Sequence, residues 1–356
     1  MAFGRKRASV EVSQMDGGEN AIANKEVEGL SQRQIVLRRF VRHRAAMISL
    51  FVLISVILFV FTASEFHLGP VGWSGWWHYG VSDTPDLLIC KNGNVGCPTL
   101  TISPGKGFGL GKHPFGQDDI GHDYFALVMR GAQRSLLVTF IIGLVAGTIG
   151  TVVGSLAGFY RGRVDNVLMR FVDFLITIPS IIIGSVIGYH FGNLGATFLA
   201  LYLGLFTWTG LSRLVRGEFL TLRERDFVDA ARVAGASNRR IIFKHILPNA
   251  VGVIIVSVTL LMSAAILLET ALSYLGFGVV EPDVSLGLLI SKYQDSFTTR
   301  PWLFWYPGLF IITIALTINF IGDGLRDAFD PRQRRRITKK DRERATEIKK
   351  ERESLS

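Results

Sequence analysis

Residues 218–249 read EFLTLRERDFVDAARVAGASNRRIIFKHILPN, a polar and basic interruption between two apolar runs at 194–215 and 250–273. A connection that merely turns a corner between two packed helices needs about two to eight residues, so this one is too long for a turn. Its pattern is helical. Phe227, Ala230, Ala231 and Ala234 recur at three- and four-residue spacing until Gly235 breaks the run. Beyond the glycine, Ile241, Ile242 and Ile246 resume the period until Pro248 stops it. The stretch predicts two short helices joined by a glycine bend, lying outside the bilayer on the side its arginines favour. Small side chains on one face let a partner come close, and Asp229 with Arg232, Arg239 and Arg240 suits a charged cleft.

The surrounding chain is that of a membrane protein. Of its 356 residues, 49% are hydrophobic and only 19% charged, and the charges lie between the apolar runs. The net charge of +10 would fit a nucleic-acid binder, but the cations sort by loop, which a membrane topology explains better. Residues 1–29 hold few apolar side chains and are expected to be disordered. Residues 30–44 alternate apolar and arginine positions; a basic interfacial helix and a bare topological signal are both open readings. Residues 45–64 give the first span, since about twenty apolar residues cross the hydrocarbon core. A cleaved signal peptide fits poorly, because the preceding region is long and Phe61 spoils the small-residue spacing before Ala63.

Residues 65–133 lack a basic excess and are expected outside the cell, with Trp73, Trp76, Trp77 and Tyr79 suited to the membrane interface. Cys90 and Cys97, the two cysteines of the chain, bracket KNGNVG; a local disulfide is favoured in an oxidising compartment, and a metal site would need more ligands. The glycines at 105–111 do not make a phosphate loop, because Lys106 takes the first glycine position and His113 the Ser/Thr position.

The second span, 134–159, carries Gly143, Gly147, Gly150, Gly154 and Gly158, a spacing that suits close helix packing in lipid. The third, 165–189, contains Arg170 and Asp173 at i,i+3, with Pro179 midway. Charges inside a span are costly and are usually paired; here a structural ion pair on one helix and a link to the cytoplasmic gate are both open. Pro179 removes a backbone hydrogen bond, and a kink there could shape a pathway. Glu269, near the outer end of the fifth span, either lines that pathway or serves a structural hydrogen bond. The sixth span runs over about 305–325, and the tail 331–356 is basic. Arginine-rich segments at 33–44, 161–163, 213–244 and 332–352 fall on one side only if there are six spans. The expected fold is therefore an all-α polytopic membrane protein with six transmembrane helices and both termini cytoplasmic. Its core occupies 134–330 and includes a cytoplasmic loop at 216–249.

Several of these stretches carry a family resemblance. Asp229-Ala230-Ala231, Gly235 and His245-Ile246-Leu247-Pro248 resemble the EAA loop of ABC-importer permeases. Asp in place of Glu, and His245 in place of Ile, are similar to the dipeptide/oligopeptide/nickel branch. His113-Pro114-Phe115-Gly116 with Asp118, Gly121 and Asp123 resembles that branch's entry to the second span, with His122 where Arg is usual. Glu269 through Gly278 is similar to its ExxLSFLGLG, and Asn319 through Arg332 to its NxxGDgLRDxxDPR ending. Residues 279–304 match a further segment at Pro282, Ser285, Gly287, Pro301 and Trp302 and depart from it at Val284 and Leu286. The resemblance covers most of 36–332, apart from the insert at 66–112, for which contact with an external binding protein is one reading.

The resemblance implies a cell-membrane permease subunit of an ATP-driven importer of peptides, with nickel or oligosaccharides as alternative cargo. Its implied partners are a second permease subunit, two cytoplasmic ATPase subunits, an extracytoplasmic solute-binding protein and membrane lipid, with no nucleic acid. ATP and Mg would sit on the ATPases, and this chain would bind no cofactor and be no enzyme. Asp226, Asp229, Ala230, Ala231, Gly235, Ala236, Arg239 and Arg240 would couple to the ATPases, and Arg170, Asp173, Pro179 and Glu269 would shape the path or gate. The rival reading is a self-sufficient secondary carrier or channel using Asp173 or Glu269 as an ion site, which leaves the 216–249 loop unexplained.

Overall fold

The computed structural model describes residues 32–68, 71–90, 95–103, 107–109 and 111–329. The expected disordered N-terminus, Lys106 and the basic tail lie outside these residues. The chain divides into a large unit, residues 44–326, and a small one formed by residues 1–43 and 327–356. In the small unit, helix α1 (Gln32–Arg42) carries exposed Leu37 and Val41 beside Arg38 and Arg42, and His43 Nε2 lies 3.4 Å from Asp327.

The large unit begins with α2 (Arg44–Ala63), a long apolar helix with neither glycine nor proline. Two small antiparallel hairpins follow, β1 (Phe66–Leu68) with β2 (Val71–Trp73) and β3 (Thr101–Ser103) with β4 (Gly107–Gly109). An all-α reading therefore omits these strands. Cys90 is bonded to Cys97 with Cα atoms 5.9 Å apart, within the span of a disulfide.

Helix α3 (Tyr124–Tyr160) starts ten residues before the expected span. Asp123 caps it, accepting from Ala126 N at 2.8 Å. At about 1.5 Å per residue it is longer than the roughly 30 Å hydrocarbon core. The polar side chains that read as outer segment are satisfied inside the protein: Gln133 donates to Val60 O at 3.1 Å and Arg130 to Glu65 O at 3.1 Å, while Arg134, the first residue of the expected span, pairs with Asp283 at 3.1 Å. The glycine stripe of α3 serves two neighbours. A Cβ on Gly154 would lie 2.4 Å from Ser212 O, and one on Gly143 2.4 Å from Met262 Cγ.

The expected third span is broken rather than kinked. Helices α4 (Gly162–Thr177) and α5 (Ser180–Phe191) meet at 75°. Ile178 takes an extended conformation (ψ 118°) before Pro179, as the proline ring demands of the residue ahead of it. Helices α6 (Ala196–Thr207) and α7 (Thr209–Leu222) meet at 43° about Trp208. After the short helix α8 (Asp226–Val233), one α-turn (Asn238–Arg240) and a π-turn (Ile241–Ile246) lead directly into α9 (Leu247–Tyr274). Pro248 therefore ends nothing: Asn238–Tyr274 is a single long helix. The π-turn, with Leu247 N bonded to Ile242 O, widens the backbone where the proline ring would otherwise strike the carbonyl four residues back. Helix α10 (Leu286–Tyr293), capped by Ser285, and α11 (Trp302–Phe329) complete the described chain.

Among the described residues four helices are long and apolar enough to cross a membrane, and the count rises to six if each bent pair is one span. Three main apolar clusters hold the large unit. One joins α2, the start of α3, α10 and α11 around Phe125, Met129, Leu286 and Ile314. A second joins α3, α6 and α9 around Ile142, Leu203 and Leu272. The third roots α8 on α7 and the long helix around Val215, Phe219, Val228, Ile241 and Ile246.

Candidate coupling surface

Helix α7 runs to Leu222 and the long helix begins at Asn238, so the expected loop at 216–249 narrows to an elbow at 223–237 that carries α8. Within α8, the apolar contacts differ from the expected face. Val228 and Ala231, three apart, are buried, while Phe227, Ala230 and Ala234 are exposed. The helix is rooted through one narrow stripe and shows its other sides to solvent. Burying a side chain such as Val228 or Ile246 contributes about 1.5–3 kcal/mol, enough to tie so short a helix to its base.

The end of α8 is set by Gly235, with φ +75°. Gly235 N donates to Arg232 O at 2.9 Å, and Ala236 N donates to Ala231 O at 3.0 Å. These two bonds are the Schellman arrangement, which calls for a left-handed residue at this position. A Cβ here would meet nothing within 4 Å, so the need for glycine is conformational and not spatial. Ser237 then caps the next helix, accepting from Arg240 N.

The open face presents Asp226, Asp229, Ala230 and Val233, the last 91% exposed. Asp229 pairs with Arg232 at 2.8 Å along the helix. Of the eight residues singled out for coupling, Ala231 lies beneath this face and Ala236 is half-buried against the same core. Arg240 is exposed at the start of the long helix, whereas Arg239 lines a groove between that helix and α3. Val233 carried no motif and escaped the periodic reading, because only its position opposite Val228 and Ala231 makes it notable.

The elbow is braced from below. Arg223 donates to Phe159 O and lies 5.8 Å over the Phe159 ring. Arg161 pairs with Glu224 at 2.7 Å. The expected Arg170–Asp173 pair does not form: Asp173 pairs with Arg213 of α7, Asp165 pairs with Arg216, and Arg170 has no ion-pair partner among the described residues. Cross-helix pairing prevails because α7 brings two cations alongside two acids of α4.

Glu269 is enclosed by its neighbours among the described residues. It is fully buried, accepting from Ser135 Oγ at 3.1 Å and Ser273 Oγ at 2.8 Å. Leu286 N donates to Ser135 Oγ and Val279 N to Ser273 Oγ, so the carboxylate gathers α3, α9 and the start of α10.

On the far side, His113 Nδ1 lies 2.6 Å from Asp123, which also accepts from Trp77 Nε1 at 3.0 Å. Trp77 is thus a core donor, while Trp73 and Trp76 remain exposed. His122, which stands where the resembling branch has Arg, places Nδ1 2.7 Å from Asp118 Oδ2, and Tyr293 Oη donates to the same oxygen at 2.9 Å. Burial pushes the Asp118 carboxyl up, but the hydrogen bonds from His122 and Tyr293 outweigh it and hold the group below its ordinary value. Burial beside that carboxylate pushes the Tyr293 phenol well up, so it stays a donor. Among the described residues no group of three His, Cys, Asp or Glu side chains comes together to hold a metal ion.

Two family profiles match the chain. One, described as the binding-protein-dependent transport system inner membrane component, covers residues 150–335, and the other, the N-terminal TM domain of oligopeptide transport permease C, covers residues 31–70. The chain is similar to the oligopeptide transport system permease protein OppC of Mycobacterium tuberculosis, 39% identical over 308 residues, which are 86% of this chain and 97% of the relative. It is also similar to the protein of that name in Escherichia coli, 37% identical over 320 residues, 89% of this chain and 96% of the relative. Among solved structures, the inward-facing MetNI methionine ABC transporter matches with a TM-score of 0.48 and 22% identity, covering 57% of this chain and 96% of that chain.

Proposed function

The chain belongs to the family of binding-protein-dependent transport system inner membrane components, and on that premise we propose that it is the permease subunit of an ATP-driven oligopeptide importer, coupled to its motor through α8. Relatives that it covers almost end to end carry the oligopeptide permease name. The observation that carries the coupling reading is the build of the elbow: α8 is fixed to α7 and the long helix by Val228, Ile241 and Ile246, yet its remaining face is open. A push on that face has nowhere to dissipate except into the helices beneath.

In this reading six spans cross the membrane, with each bent pair counted as one and both termini cytoplasmic. A second permease subunit completes the path. Two ATPases hold ATP and Mg, and one of them receives Asp226, Asp229, Ala230, Val233 and Arg240 in its groove, while Gly235 and Ala236 set the angle of the elbow. An external binding protein delivers the peptide. Nucleotide binding on the ATPases favours one of two arrangements of the spans, and the elbow transmits the preference. The ion pairs Asp165–Arg216 and Asp173–Arg213 carry the same movement into the broken span α4–α5.

The test is uptake of a labelled oligopeptide by proteoliposomes holding this chain, the second permease and the ATPases, with the binding protein outside and ATP inside. Uptake should require ATP and be lost in Val233→Asp. Uptake by this chain alone, without ATPases, would overturn the proposal in favour of a secondary carrier.

A further inference from the structure

A groove of about 690 Å³ runs between α3 and the long helix Asn238–Tyr274. Gly143 and Gly147 form its floor beside Met262 and Val258, with Leu144 and Val152 on one wall. The lining reaches from Phe140 to Tyr160, a rise of about 30 Å along α3, which matches the hydrocarbon thickness of a bilayer. Thr148 and Ser155 turn their hydroxyl hydrogens back onto Leu144 O and Val152 O, which leaves their stretch of wall apolar. The single charged residue among those lining it is Arg239, at the Tyr160 end. That guanidinium makes no ion pair among the described residues.

We propose that this groove is a binding site for an anionic phospholipid, one acyl chain lying along Gly143–Val152 and the phosphate resting on Arg239 beside the Tyr160 ring. An apolar channel as deep as the bilayer, closed at one end by an unpaired cation and an interfacial aromatic, has the polarity of a lipid. A helix of the second permease would also fit an apolar groove, but it would bury Arg239 unless it brought an acid to that height. A phospholipid brings the anion at that level as a matter of its own structure. The site needs only that α3 and the long helix span a bilayer, and does not rest on the motor-coupling reading.

The experiment titrates the purified full chain in detergent with phosphatidylglycerol or with phosphatidylcholine of the same acyl chains, and reads retained lipid by native mass spectrometry. The wild type should prefer phosphatidylglycerol by about fivefold, the worth of one well-placed cation. Arg239→Gln should lose that preference while still retaining both lipids. Arg240→Gln, whose side chain does not line the groove, should keep it. Thr151→Phe, which fills the groove at a half-buried position, should lower retention of both lipids. Equal retention of the two lipids by the wild type, or an unchanged preference in Arg239→Gln, overturns the site. So does complete disulfide formation, in the assembled importer, between Leu144→Cys and a cysteine in a helix of the second permease, because that helix would then fill the groove.

Discussion

Asp165 and Arg216 form a two-pronged ion pair, Arg216 Nε donating to Oδ1 at 2.5 Å and Nη2 to Oδ2 at 2.6 Å. It fastens the start of α4 to α7, and Asp173–Arg213 repeats the link farther along α4 and about one turn earlier on α7.

The two links differ in burial, and so should their worth. Asp165 is buried, so truncating its partner leaves a desolvated carboxylate without a cation. Arg213 and Asp173 are both about half exposed, where ion pairs contribute about 0–1 kcal/mol. Arg216→Ala should therefore destabilise the purified protein by about 2–3 kcal/mol, and Arg213→Ala by less than about 1 kcal/mol. Thermal unfolding in one detergent compares them directly, and equal losses would refute the burial argument.

Gly235 gives a prediction whose sign depends on backbone alone. Its neighbourhood is empty, so Ala would pay only for the left-handed conformation, about 1–2 kcal/mol. Asn tolerates that conformation better. Uptake should fall in the order wild type, Gly235→Asn, Gly235→Ala, Gly235→Pro, since proline fixes φ near −65°. A Pro variant with full uptake and full ATPase co-purification would show that the elbow angle does not matter.

Much of this was legible in the sequence, for identifiable reasons. The spans follow from apolar runs, the elbow from a helical period inside a basic gap, and the bend from Gly235. What was not legible depended on partners distant in the chain. Arg170 and Asp173 read as a pair because they are three apart, but α7 supplies closer cations. Residues 124–133 read as part of the outer segment because 65–133 lacks a basic excess, yet backbone carbonyls of Val60 and Glu65 satisfy Gln133 and Arg130 within a helix. Pro248 read as a stop because sequence does not reveal a π-turn that makes room for it. Glu269 read as pathway or scaffold because sequence does not reveal that Ser135 and Ser273 donate to it.

Stability and coupling should separate on α8. Ile246 is fully buried in the cluster beneath the helix, and Ile246→Ala should cost about 2–5 kcal/mol. Val233 is almost fully exposed, so Val233→Asp should stay within about 0.5 kcal/mol of wild type while losing ATPase co-purification. Melting curves and pull-down with the ATPases measure the two effects independently. Normal ATPase recovery with Val233→Asp would remove the open face of α8 from the coupling surface.

The acid limb of stability should report Asp118. Its Oδ1 accepts from Ile120 N at 3.0 Å and His122 N at 2.8 Å, and its Oδ2 faces His122 Nδ1 and Tyr293 Oη. Burial alone would raise this carboxyl, but the hydrogen bonds hold it below its ordinary value. A group lowered in the folded state stabilises fully above its unfolded pKa, here about 3.9, and that stabilisation is lost as pH falls through the folded value. The wild type should therefore lose stability steeply below about pH 4. Asp118→Asn should be less stable at neutral pH and show a flatter acid limb, because the ionised acceptor is gone. Tyr293→Phe removes one of the donors and should weaken the same limb to a smaller degree. Melting temperatures of the three proteins from about pH 3 to pH 7 decide it, and parallel acid limbs in wild type and Asp118→Asn would assign the acid sensitivity to another carboxylate.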